Sequence, residues 1–308
     1  MTQSFWPDGF VIRAPRLDEA EQVTALICAG NLATLGEADW SIEEMRADWN
    51  RLGFELARDA RIVVAPDGRL AAYAEVWARP NAAQIGGNSL VHPDFRYLEL
   101  EDALTDLAEW LAAQHAPLPI RWHKEEKNGH MLAARGYEAK RWHWRMRIDF
   151  AGPPPEPRWP DGCGFRIMQE ADERATQALI EQAFTQPDRA AVSFEEWRRL
   201  LIEREDFDRS LFFVATCGGE IVGAAACYLF GGMEEGWVRQ LAVAEGYRGR
   251  GLGQALLRHA FGEFYRRGTH RAGLGVDAHN PSATKLYLGV GMHALEKYVM
   301  YEKASTGK

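Results

Sequence analysis

The second half of this chain repeats the first at a fixed offset, so any fold must accommodate the same pattern twice. Val91, Arg96 and Asn128 recur as Val243, Arg248 and Asn280, each 152 positions further on. That interval suits a duplicated domain rather than a short structural repeat. The openings agree as well: Ile12-Arg13, Asp18-Glu19 and Ala25-Leu26-Ile27 are matched by Phe165-Arg166, Asp172-Glu173 and Ala178-Leu179-Ile180. A hairpin signal recurs at Pro66-Asp67-Gly68 and at Cys217-Gly218-Gly219. At 308 residues the chain suits two domains of about 150 residues, each able to bury a core. Pro153, Pro154, Pro155, Pro157 and Pro160 interrupt helix and sheet pairing between them. The expected division is therefore 1–150, a stiff exposed connector at 151–160, and 161–308.

Within the second half, Arg248-Gly249-Arg250-Gly251-Leu252-Gly253 lies between a strand-like run, Val238 to Val243, and an amphipathic segment. Leu252, Leu256, Leu257, Ala260, Phe261 and Phe264 fall on one helical face. Glycines at alternate positions let backbone N–H groups converge without Cβ obstruction, and the helix start adds unpaired donors and the positive end of its dipole. Arg248 and Arg250 can add charge-assisted contacts to the same anion. The segment lacks the Gly-Lys-Ser/Thr of a nucleotide-triphosphate loop and the spacing of a dinucleotide fingerprint. In the first copy, Gly249, Gly251 and Gly253 correspond to Tyr97, Glu99 and Glu101. Two carboxylates there repel an anion and the added side chains block the backbone. The helical face of that copy survives in Leu100, Leu104, Leu107, Ala108 and Leu111.

The net charge of −8 argues against nucleic acid or an anionic membrane as a main partner. No run approaches the roughly 20 apolar residues that span a bilayer, and the first residues lack a basic and then apolar leader, so a cytoplasmic protein is expected. Cys28, Cys163, Cys217 and Cys227 show no C-x-x-C pairing and no histidines at ligand spacing. They read as buried or incidental thiols, with no metal site.

A second cluster follows the loop: Asn280-Pro281-Ser282-Ala283-Thr284-Lys285-Leu286-Tyr287, then Gly291-Met292. With both clusters in view the second half resembles the GNAT family of acetyl-CoA-dependent N-acetyltransferases. Arg248, Gly251 and Gly253 fit that family's pyrophosphate loop. Asn280, Ala283, Leu286, Tyr287 and Gly291 fit its later segment, with Met292 in place of the usual Phe. The resemblance implies two tandem α/β domains, each a splayed, mixed and mostly antiparallel sheet flanked by helices. It implies one acetyl-CoA per chain, in the second copy only, and a degenerate first copy. Where the family acid would stand, the first copy holds Arg135 or Leu132.

By the same resemblance, Tyr287 is the proton donor to the coenzyme A thiolate. Leu241, Ala242 and Val243 match the stretch whose backbone N–H polarises the thioester carbonyl. Gly249, Arg250, Leu252 and Ala283 complete the cofactor site, and Asn280 either holds the pantetheine arm or caps its helix. Several relatives carry a Glu general base at the position of Trp237. Glu235 lies on the same face of an extended strand and is the replacement favoured here, with Asp277, His279 or a water as alternatives. Trp197, Trp237, Arg198-Arg199 and the segment Gln186 to Arg189 are candidates for an acceptor pocket.

Two functions follow. One is acetyl transfer to a primary amine of a small molecule or peptide, by direct attack in a ternary complex. The first copy would then shape the acceptor pocket, support folding or form a homodimer surface. The other is a non-catalytic acetyl-CoA-binding protein with a sensing or regulatory role.

Overall fold

The computed structural model describes residues 6–36, 38, 40–78, 83–98, 100–125, 129–185, 191–229 and 235–304. The chain divides into two compact units, Met1–Arg141 with Tyr298–Lys308, and Trp142–Lys297.

In unit 1 the order is β1 (Val11–Arg13), α1 (Ala20–Leu35), α2 (Ile42–Trp49), α3 (Leu56–Asp59), β2 (Ala60–Val64), β3 (Leu70–Trp77), β4 (Ile85–Val91), α4 (Glu101–Ala112), β5 (Ile120–Glu125) and α5 (Gly129–Ala134). Next comes β6 (Glu138–Asp149), which runs on into unit 2. Unit 2 continues with β7 (Cys163–Ile167), α6 (Glu173–Ala183), α7 (Phe194–Leu201), β8 (Phe212–Cys217), β9 (Glu220–Leu229), β10 (Gly236–Val243), α8 (Leu252–Arg266), β11 (Arg271–Asp277) and α9 (Pro281–Gly289). The final strand, β12 (His293–Lys303), begins in unit 2 and ends in unit 1.

Both sheets follow one plan. In unit 1 the strand order is β1-β2-β3-β4-β5-β12, antiparallel except for the parallel pair β4-β5. In unit 2 it is β7-β8-β9-β10-β11-β6, antiparallel except for β10-β11. The sixth place in each sheet is therefore filled by the strand that belongs to the other copy in sequence. Tyr298 to Lys303 pair with Glu125 to Ile120, and His143 to Asp149 pair with Asp277 to Arg271. The break between units thus falls at Trp142 and again at Tyr298, whereas the division expected from the proline run put it at 151–160. That run belongs to unit 2: Pro154, Pro155 and Pro157 line a small hollow with Arg258, His259 and Gly262 of α8, and Trp159 stacks on Phe165 at 5.4 Å.

The repeated opening motif is a repeated ion pair. Arg13 meets Glu19 at 2.6 Å, and the Glu19 carboxylate accepts the Arg16 N–H at 2.8 Å. Arg166 Nη2 meets Asp172 at 2.9 Å, and Asp172 accepts the Gln169 N–H at 2.8 Å. Each acid closes the turn into the first long helix, where negative charge is favoured. The Arg13 hydrogen bond holds Glu19 down at about 2. Ser41 and Ser193 cap α2 and α7, each accepting the N–H three residues on at 3.1 Å.

The apolar face expected for α8 is buried throughout, with Leu252, Leu256, Leu257, Ala260, Phe261 and Phe264 all in the core of unit 2. The matching face of α4 is buried in unit 1. One expectation is corrected: Cys163 and Cys217 form a disulfide. They are cross-strand partners of β7 and β8, a juxtaposition that 54 residues of sequence separation conceal. Closing a loop of that length is worth about 4 kcal/mol in the chain-entropy account. Cys28 and Cys227 are free, and among the described residues no metal-holding cluster occurs. No described helix is long and apolar enough to cross a membrane.

Because β12 completes the first sheet, deleting residues 298–308 should open unit 1, not unit 2. Limited proteolysis of the truncated chain is expected to cut first within 1–141 while a fragment spanning unit 2 persists. Early loss of unit 2 instead would contradict the strand assignment.

Candidate active site

The parallel pair β10-β11 is joined only at Gly236–Ala272 and Trp237–Gly273. Beyond these residues the strands part and a cleft opens between them. On its other edge β10 keeps to β9, but the register jumps from Val238–Cys227 to Gln240–Ala226, leaving Arg239 as a bulge. A bulge bends its strand and increases the local twist. Ala244 donates its N–H to Val222 O at 2.8 Å, on the β9 side. Amides one residue apart point to opposite edges, so those of Val243 and Leu241 face the cleft. Ala242 between them is buried in the core.

The glycine loop lies at the mouth of this cleft. Gly249 and Gly251 have φ of +74° and +91°, and a Cβ on either would meet nothing within 4 Å. Their requirement is conformational, and the space above them is open. Ala255 donates to Gly251 O at 2.9 Å. The amides ahead of it, from Gly249 to Gln254, make no backbone hydrogen bond among the described residues, as expected for a helix start. Leu252 is buried, so it offers only its backbone. Gly253 is required by packing, since a Cβ there would lie 3.0 Å from Leu286 Cδ2 on α9. Arg248 donates through Nε to Val243 O at 3.1 Å, and the Arg250 guanidinium lies 5.1 Å from the Tyr247 ring. The open positive-φ loop, the unpaired amides and two exposed arginines fit a diphosphate, and the cleft beside them fits an extended arm.

Asn280 caps α9, its Oδ1 accepting the Ala283 N–H at 3.0 Å. The Ala283 amide is spent on that cap, and the side-chain NH2 of Asn280 is the group left to reach a ligand. Tyr287 is 8% exposed, and burial pushes its phenol up to about 12. Its hydroxyl makes no hydrogen bond among the described residues.

Glu235, just ahead of β10, is 4% exposed. Its carboxylate accepts from Arg145 Nη2 at 2.6 Å and from Arg147 Nε at 3.2 Å. Both arginines project from β6. Asp277 Oδ1 accepts the His279 N–H at 2.8 Å and lies 3.2 Å from His279 Nδ1, with His279 exposed. Trp197 is a core residue donating to Gln240 Oε1 at 3.2 Å. Arg198 faces Glu173 and Glu203 at 3.4 and 3.5 Å. Neither is placed as an acceptor-pocket wall. Gln186 to Arg189 lie outside the described residues.

Unit 1 has the same cleft in outline and a different content. β4 and β5 pair only at Ile85–Ile120, Gly86–Arg121 and Gly87–Trp122. No bulge interrupts β3-β4 from Ala72–Val91 to Trp77–Gly86. Beyond the last pair, Lys124 reaches across and donates to the Ser89 carbonyl and, at 2.9 Å, to the Ser89 hydroxyl. The Trp122 ring packs on Gly87 so closely that a Cβ there would lie 1.9 Å away. Tyr97 is exposed in a 3-10 turn where unit 2 has its loop. Glu99 and Asn128 lie outside the described residues. Three features could not be found from sequence reasoning: the bulge, the Lys124 bridge and the two arginines of β6.

A mixed sheet splayed at its one parallel pair, with a glycine loop leading into a helix at the opening, is the architecture of the GNAT acyltransferases. The acetyltransferase (GNAT) family model matches residues 173–292. The mycothiol acetyltransferase of Salinispora arenicola is 30% identical over 313 residues, covering 96% of this chain and 97% of that protein. That of Thermobispora bispora is 31% identical over 225 residues, covering 70% and 75%. The crystal structure of a GCN5-related N-acetyltransferase from Sphaerobacter thermophilus is 34% identical, with a TM-score of 0.78 over 96% of each chain. A tandem GNAT protein from the clavulanic acid biosynthesis pathway shares the fold at 16% identity, with a TM-score of 0.76 over 97% of this chain and 99% of that one. The chain belongs to the GNAT family and is an N-acetyltransferase.

Proposed function

We propose that unit 2 alone binds acetyl-CoA and transfers its acetyl group directly to a primary amine of a small molecule or peptide. The observation that carries this reading is the contrast between the clefts. One is open with a positive-φ loop at its mouth, and the other is bridged by Lys124. In this reading the amides of Gly249 to Gln254, with Arg248 and Arg250, hold the pyrophosphate. The cleft-facing amides of Leu241 and Val243 pair with the pantetheine arm and polarise the thioester carbonyl. The amine attacks that carbonyl, and the sulfur leaves with the phenolic proton of Tyr287. The two relatives are named for mycothiol, which supports a small-molecule amine of that kind as the acceptor. The amine proton goes to water or to the His279–Asp277 pair, which has an exposed imidazole beside a carboxylate. Retention of Tyr287 with an unpaired hydroxyl favours transfer over a purely binding role.

Three results test this. Titration should give one acetyl-CoA per chain, and two would overturn the assignment of unit 1. Gly251→Glu copies the carboxylates of the first copy and strains a left-handed residue by about 1–2 kcal/mol. It should abolish binding in calorimetry while the circular dichroism spectrum stays native. Tyr287→Phe should slow turnover by roughly 10²–10⁴ with acetyl-CoA affinity little changed. Because burial raises Tyr287 to about 12, its acid form persists through neutral and mildly alkaline pH. The wild-type pH–rate profile should therefore show no alkaline decline from this group below about pH 11.

A further inference from the structure

Glu235 sits just ahead of β10, where a proton acceptor would be sought, yet its surroundings are those of a structural tie. Across the sheet, Gly273 of β11 is the partner of Trp237 on one side and of Arg147 on the other, and Gly275 is the partner of Arg145. Cross-strand partners share a face. Glu235 therefore reaches from β10 over β11 to meet two cations from β6. The passage exists only because residue 273 has no side chain, since a Cβ there would lie 2.3 Å from Glu235 Oε1. Both carboxylate oxygens are engaged, at 2.6 Å with Arg145 and at 3.2 Å with Arg147. The Arg145 guanidinium in turn lies 5.3 Å from the Trp237 ring.

The location of this tie gives it a purpose. Trp237–Gly273 is the last backbone pair before β10 and β11 separate. Past it no ladder hydrogen bond fixes the distance between the strands, and the side-chain tie spans the point where the ladder ends. A general base needs a lone pair within hydrogen-bond reach of the amine and the freedom to take its proton. Both Glu235 oxygens already accept from Arg145 and Arg147, so neither is held free for an amine proton.

We propose that Glu235 is a positioning residue, not the proton acceptor: with Arg145 and Arg147 it clamps β10 to β6 across Gly273 and sets the width of the acyl-CoA cleft. The inference rests on the reading that this cleft is the transfer site. The role requires the three side chains to act as one unit, whereas a base acts through its own carboxylate.

The test compares Glu235→Gln, Arg147→Gln and the double variant, with Arg147→Lys as the conservative control. Each is measured for acetyl-CoA Kd by calorimetry. Each is also assayed over pH 6–10 for acetyl transfer to whichever of glucosamine, S-methylcysteinamide and spermidine the wild-type chain acetylates fastest. Each single variant should weaken acetyl-CoA binding by a similar factor, on the order of 3- to 30-fold. The double variant should be no worse than either single, as for residues of one network. Arg147→Lys should recover part of the loss. Glu235→Gln should turn over within about threefold of the wild-type rate, and the acid limb of the pH–rate profile should stay at its wild-type position in both single variants. Turnover slowed by about 100-fold or more in Glu235→Gln, with unchanged Kd, would overturn the proposal. So would an acid limb that moves upward in pH in Arg147→Gln, the response of a basic carboxylate that has lost a cation. If acetyl-CoA instead bound normally to Gly251→Glu, the cleft assignment itself would fail, whatever Glu235 does.

Discussion

A parallel strand pair that stops pairing after two residues is the constraint around which unit 2 is arranged. Backbone N–H and C=O groups on the facing edges of β10 and β11 lose their ladder partners there, and such groups are costly to leave unmet. Three features follow. A bulge at Arg239 interrupts the β9-β10 register, the left-handed glycines at 249 and 251 turn the chain into α8 without covering the opening, and the Gly253–Leu286 contact draws α9 alongside. The exposed edges then suit an extended ligand rich in amides and phosphates, which is what an acyl-CoA presents.

Unit 1 meets the same constraint by a different route. Its strands also part, but the gap is bridged by an ammonium group whose hydrogen bonds go to the carbonyl and hydroxyl of Ser89. A bulky Trp122 settles over Gly87 at the base. The hydrophobic faces of α4 and α8 remain alike because packing demands persist in both units. The glycine loop is kept in unit 2 alone, with Tyr97, Glu99 and Glu101 at the matching positions of unit 1.

What the sequence made legible were local requirements. The glycines of the loop, the apolar face of α8, the repeated Arg-and-acid opening and the Asn280 cap all depend on residues within a few positions of each other, where spacing maps onto geometry. The features it concealed depend on which distant segments become neighbours. Arg145 and Arg147 lie 90 and 88 residues from Glu235 in sequence and meet it only because β6 pairs with β11. From the sequence Glu235 therefore reads as a lone carboxylate at the right end of a strand. The disulfide and the unit boundary were hidden for the same reason. A proline run is a local signal of a broken element, whereas the boundary is decided by strand pairing at Trp142 and Tyr298.

The exchange of sixth strands also orders the folding of the chain. Every residue of unit 2 up to Lys297 precedes the segment that unit 1 needs, so the first unit to be synthesised is the last able to complete its sheet. Until Tyr298 to Lys303 arrive, β5 presents an unpaired edge, the kind of surface that invites wrong partners. The pairing that resolves it is long-range and correspondingly slow to form. Unit 1 is thus not a detachable appendage, because its sheet closes only with the end of the same chain whose middle forms the proposed transfer site. Truncating either copy at the repeat boundary removes a strand from the other, and this connectivity, more than residual chemistry, explains in physical terms why unit 1 keeps a well-packed core without a cofactor loop.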